Sequence, residues 1–148
     1  MLLHASSVAR DGDAVLLLGP PGSGKSDLVL RLIREGWGLV ADDQVALRAE
    51  AGALQAAPPP ALRGMLEVRG LGILRDLPVA APARLRLAVH LADRGAIPRL
   101  PEPEHWAGAG IALPALRLDP FEASATARLS LALDVVLGRA RLQAGAFA

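Results

Sequence analysis

The 148-residue chain contains no cysteine, which excludes disulfides and thiolate metal sites and fits a reducing, cytoplasmic setting. Aromatic residues are 3% of the chain against 52% hydrophobic residues overall, so the core must be built mainly from Leu, Val and Ala. No apolar run approaches the ~18 residues that a membrane-spanning helix needs. The opening MLLHASSVARDGD lacks the basic start and apolar centre of a secretory signal. The net charge of +1 is spread over mixed signs, and no basic run offers a nucleic-acid surface. Membrane and nucleic acid are therefore not expected partners. The length fits one domain over residues 1–148, with enough chain for a real core. Lysine is the scarcest charged residue: of sixteen basic side chains, Lys25 is the single lysine.

Lys25 lies in Gly19-Pro20-Pro21-Gly22-Ser23-Gly24-Lys25-Ser26-Asp27, which matches G-x-x-x-x-G-K-[ST] in full. The glycines let backbone N–H groups turn inward around phosphate oxygens, and a following helix adds the partial positive charge of its N-terminus. Lysine suits the position because its ammonium is a compact point charge on a flexible stem, whereas arginine offers a planar fork. The Ser26 hydroxyl is a Mg²⁺ ligand in loops of this type. The bland alternative is a glycine-rich turn before a helix. It accounts less well for a complete motif with a buried strand before it and a helix after it.

The flanking sequence supplies that context. Residues 2–9 predict a strand, Asp11-Gly12 a hairpin turn and residues 14–19 a buried strand. Residues 26–35 carry Leu28, Val29, Leu32 and Ile33 at helical spacing, stopped by Gly36. WGLVADD predicts a strand beside the phosphate-loop strand. QVALRAE and ALQAAP flank a hairpin at Ala51-Gly52, residues 58–64 read as loop, and MLEVRGLGIL (65–74) alternates before two glycines that suggest a close backbone approach. Residues 83–92 predict a strand, 95–110 a long surface loop, 111–120 an edge strand and 122–142 a helix.

Two carboxylates, Asp42 and Asp43, end the WGLVADD strand on the side of the nucleotide. One could bind Mg²⁺ and the other accept a hydroxyl proton; equally, the pair could only cap a turn. Glu67 and Arg69 share one side if extended, which an exposed ion pair also explains. His4 falls near the start of the phosphate loop if residues 2–9 pair with 14–19. His90 and His105 have no partner at metal-ligand spacing and read as structural or solvated.

HASSVA, GPPGSGKSDLVLRLI, LVADDQVALR and LEVRGLGIL, in this order and spacing, resemble the catalytic domain of HPr kinase/phosphorylase. The resemblance covers residues 2–92 well and the remainder loosely, and is closest to the short form, without the N-terminal domain, of some alphaproteobacteria. It implies a single-domain α/β fold like that of phosphoenolpyruvate carboxykinase, a mixed β-sheet with a few helices. It also implies transfer of the γ-phosphate of ATP, with Mg²⁺, to a serine of the phosphocarrier HPr, and the reverse phosphorolysis. Carried over by motif, Asp43 is the base, His4 assists at the phosphate, Lys25 holds the β- and γ-phosphates, Ser26 and Glu67 bind Mg²⁺, and Asp42 and Arg69 support the site. Longer members form hexamers, which implies a homo-oligomer. A later catalytic arginine in the family has Arg99 as its nearest counterpart. The loop V-P-x-x-P-G-R-N, tied to dephosphorylation, is replaced here by IALPALRLDPFEAS, so the resemblance reaches the kinase step further than the phosphorylase step.

Two other classes compete. A small-molecule kinase fits the length, but no lid with paired arginines is evident. A non-enzymatic nucleotide-sensing module would not need a base at Asp43. No N-K-x-D motif supports a GTPase.

Overall fold

The computed structural model describes all 148 residues. In chain order its strands and helices are β1 (Leu2–Leu3), β2 (Ser6–Arg10), β3 (Asp13–Leu18), α1 (Lys25–Arg34), β4 (Gly38–Ala41), β5 (Val45–Glu50), β6 (Ala53–Ala57), β7 (Leu66–Val68) and β8 (Gly72–Leu74). These are followed by β9 (Ala83–Leu91), β10 (Glu104–Gly108), β11 (Ile111–Leu118) and α2 (Ala125–Val136). No helix is long and apolar enough to cross a membrane.

β3 lies at the centre of the main sheet. After Asp13 its sequence is apolar, because both faces are covered. Val15 and Leu17 point to the helix side, where they pack with Leu28, Leu32, Leu129 and Leu133. Ala14 and Leu16 point to the other side, where they meet Val40, Leu54, Leu85 and Leu113. One edge of β3 pairs antiparallel with β2 and the other parallel with β9. The free edge of β9 is shared: its first residues pair with β6 and its last with β11. The full order is β1-β5-β6-β9-β3-β2-β4, with β10 and β11 continuing from the end of β9. This is the mixed-sheet α/β architecture with two helices.

α1 forms where Leu28, Val29 and Leu32 recur on one face, and all three are fully buried. It stops at Gly36, whose φ of 101° no β-carbon residue adopts cheaply. α2 packs beside it, with the Thr126 hydroxyl donating to Glu35 Oε1 at 3.1 Å. Arg10 ties β2 to α2 through Asp134 at 2.5 Å and lies 5.4 Å above the ring of Trp37.

Three expectations are corrected. β4 is not beside the phosphate-loop strand: β2 and β9 take both edges of β3, and β4 pairs with the outer edge of β2. Residues 2–9 do not form one strand; β1 pairs with β5, and His4 and Ala5 lie between it and β2. Residues 95–110 are not all loop, since Glu104–Gly108 pairs with β11, which is thereby interior and leaves β10 as the edge. Gly70, with a φ of 83°, lies in the turn of the β7–β8 hairpin, and Gly72, with a φ of 133°, opens β8; a β-carbon on either would meet no protein atom within 4 Å.

Candidate functional site

β3 and β4 run in the same direction, because each is antiparallel to the β2 strand between them. Their C-terminal ends therefore open on one edge of the sheet, and the loop after β3 and the carboxylates after β4 meet there. Gly22 and Gly24 take φ values of 80° and 99° to turn the loop. The Ser23 N–H donates to the Pro20 carbonyl at 3.1 Å, and the Leu28 N–H to Gly24 at 3.0 Å, which starts α1. A β-carbon on Gly19 would come within 2.5 Å of Ser23 Oγ, 3.1 Å of Ser23 Cβ and 3.3 Å of Leu91 Cβ, so glycine lets the loop pack closely there.

Lys25 is the first residue of α1, and its ammonium folds back over the loop. Nζ donates to Gly19 O at 2.5 Å and to Pro20 O at 3.0 Å. Both acceptors are neutral carbonyls, so an anionic phosphate oxygen arriving at the loop competes well for the charge.

Asp42 is the centre of the carboxylate side. It is 7% exposed and accepts from two hydroxyls: Ser6 Oγ–H to Oδ1 at 2.8 Å, and Ser26 Oγ–H, shared between Oδ1 and Oδ2 at 3.0 and 3.1 Å. The Asp43 N–H donates to Ser6 Oγ at 3.3 Å. One connected network thus runs from Asp43 through Ser6 and Asp42 to Ser26, beside Lys25. Asp43 itself is exposed and holds a φ of 68°, a left-handed conformation that aspartate tolerates better than most residues. It turns the chain immediately after the buried Asp42 and leaves its own carboxylate facing solvent. The oxygen-only set of Ser26 and Asp42 fits a hard divalent cation such as Mg²⁺.

The remaining sequence-derived residues divide. In the β2–β3 register Ser6 faces Leu17, and the exposed His4 lies in the bend two residues before that pairing begins. Glu67 and Arg69 are both exposed on the β7–β8 hairpin, with no ion pair between them. Asp27 is exposed in the first turn of α1 and binds Arg31 Nε at 3.1 Å. Arg99 lines a separate groove with α2 and the C-terminal residues, and no phosphate-loop residue lines that groove. Sequence reasoning missed Ser6, whose only signal was a hydroxyl pair inside a buried strand. It also missed Pro120 and Phe121, which pack on Gly24.

The strand, glycine-turned loop, helix-borne lysine and serine–aspartate pair define a phosphate-loop protein. Residues 1–92 match the HPr Serine kinase C-terminal domain model. The chain belongs to that family. It is similar to HPr kinase/phosphorylase of Bordetella petrii, 47% identical over 87 residues, which cover 54% of this chain and 28% of that protein. The match to HPr kinase/phosphorylase of Burkholderia lata is 42% over 108 residues, covering 67% of this chain and 34% of that one. The chain therefore spans about a third or less of the length of these curated relatives. The solved structure of the Hpr(Ser) kinase/phosphatase from Coxiella burnetii has a TM-score of 0.75 and 26% identity, over 93% of this chain and 94% of that one.

Proposed function

We propose that residues 1–148 form one catalytic domain, acting in the cytoplasm as a Mg²⁺-dependent protein-serine kinase that moves the γ-phosphate of ATP to a serine of HPr. The single observation that carries this reading is the hydrogen-bonded path from Asp43 through Ser6 and Asp42 to Ser26, next to Lys25. A module built only to hold a nucleotide gains nothing from a second, exposed carboxylate at the phosphate edge. The names of the relatives and of the solved structure supply the acceptor.

In this reading the loop N–H groups and Lys25 bind the β- and γ-phosphates, and the N-terminus of α1 adds its dipole. The oxygens of Ser26 and Asp42, together with the Glu67 carboxylate, would hold Mg²⁺, which when bound neutralises charge on the phosphates. Asp43 accepts the proton of the acceptor serine as its oxygen forms a bond to the γ-phosphorus and the bond to the β,γ-bridging oxygen breaks. His4 assists at the transferring phosphate, and Arg69 supports the site. Phosphoryl transfer draws mainly on positioning and charge, and the buried Asp42 network supplies the positioning of Asp43. A homo-oligomer is part of the proposal.

The test is intact-mass analysis of HPr incubated with this protein, Mg²⁺ and ATP. A gain of about 80 Da, one phosphoryl group, that disappears when the acceptor serine is replaced by alanine supports the reading. No gain, with ATP binding shown separately, overturns it.

A further inference from the structure

Phe121 is the exposed member of a very small aromatic set. The chain has two Trp and two Phe; Trp37 is buried at 6% exposure while Phe121 is 72% exposed, and Trp106 and Phe147 are half-buried. A single exposed apolar residue is ordinary in itself, but this one is held rigidly and at a telling position. A β-carbon on Gly24 would meet Phe121 Cζ and Cε1 at 3.1 and 3.3 Å and Pro120 Cγ at 3.1 Å. The outer edge of the ring thus touches the last glycine of the phosphate loop, one residue before Lys25, while much of the ring stays open to solvent.

Three interactions hold the segment there. The Phe121 N–H donates to Asp119 Oδ1 at 2.9 Å, and the other oxygen of Asp119 accepts the Arg94 N–H at 3.0 Å. The Arg31 guanidinium donates to the Pro120 carbonyl while its Nε pairs with Asp27, which ties the segment to the first turns of α1. Proline before Phe121 stiffens the backbone further. An exposed aromatic ring pinned against a phosphate loop has the chemistry of a stacking platform, since every base presents a π-face.

We propose that Phe121 stacks on the base of the nucleotide whose phosphates occupy residues 19–26. The proposal rests on the nucleotide reading above and adds the base-binding residue. Phe121 then discriminates nucleoside triphosphates from inorganic polyphosphates, which share the phosphates and lack the base.

The experiment is calorimetric titration of the full chain and of Phe121→Ala with Mg²⁺-ATP and with Mg²⁺-tripolyphosphate. Loss of one base–aromatic stack should weaken ATP binding by roughly 5- to 150-fold and leave tripolyphosphate binding unchanged, with an unchanged melting temperature. Phe121→Trp should restore ATP binding and show indole fluorescence quenched by ATP and not by tripolyphosphate. Equal weakening of both ligands, or no weakening of either, overturns the stacking role while leaving phosphate-loop binding intact. A wild-type chain that binds neither ligand overturns the nucleotide reading and this inference with it.

Discussion

Replacing Ser6 by alanine tests the network at its least obvious member. Ser6 is fully buried and uses its hydroxyl in both directions, donating to Asp42 Oδ1 at 2.8 Å and accepting from the Asp43 N–H at 3.3 Å. The alanine side chain fits without a clash, so the loss is electrostatic. A hydrogen bond to a charged group contributes about 1.5–3 kcal/mol, and a buried carboxylate robbed of a donor bears most of that loss. The Asp43 N–H, bonded at a longer distance, adds little. We expect a destabilisation of about 2 kcal/mol, or a fall in melting temperature of roughly 4–8 °C for a chain of this size. Urea denaturation of Ser6→Ala, Asp42→Asn and the double variant supplies the assay. The two single losses should overlap, with a coupling energy of about 1 kcal/mol or more. Activity should fall with it, because Asp43 loses the contact that steadies its left-handed turn, while ATP affinity should hold within about two-fold. A change in stability below about 0.5 kcal/mol, or strictly additive single and double variants, would refute the claim that Ser6 orients the carboxylates.

The other predictions concern the two charges and the core. Lys25→Ala should weaken ATP binding by calorimetry and abolish transfer, since the loop loses its only ammonium. Asp43→Asn should leave ATP affinity nearly intact and lower the transfer rate about 10²-fold or more, as loss of a general base does; a near-full rate in a stopped assay would remove Asp43 from that role. Leu32→Ala empties a fully buried position between α1 and the sheet and should cost about 2–5 kcal/mol in chemical denaturation.

Local chemistry was legible wherever a short stretch decides its own geometry. The Asp11-Gly12 and Ala51-Gly52 pairs take positive φ values at both residues, as hairpin turns demand. The helix after Lys25 begins and ends within a residue or so of its expected bounds, because its apolar spacing and Gly36 act locally. The same turn signal stands at Ala109-Gly110, with φ of 50° and 79°, but the prolines at 98, 101 and 103 outweigh it in sequence and hide β10. Gly70 and Gly72 look alike in sequence, and the fold separates them: Gly70 turns the β7–β8 hairpin and Gly72 opens β8.

What the sequence by itself determined is the phosphate loop, the helix that follows it and the presence of two carboxylates one strand later. A complete motif dictates backbone conformation over eight consecutive residues, and neighbouring residues interact whatever the rest of the chain does. Tertiary structure alone decided which strands lie side by side, because an apolar strand buried on both faces carries no mark of its neighbours. By inserting β2 between β3 and β4 it brought Ser6 beneath Asp42, and by returning the chain after β11 it set Phe121 against Gly24. Those contacts join residues separated by 36 and nearly a hundred positions, a distance over which only the packed core, and no local pattern, fixes geometry.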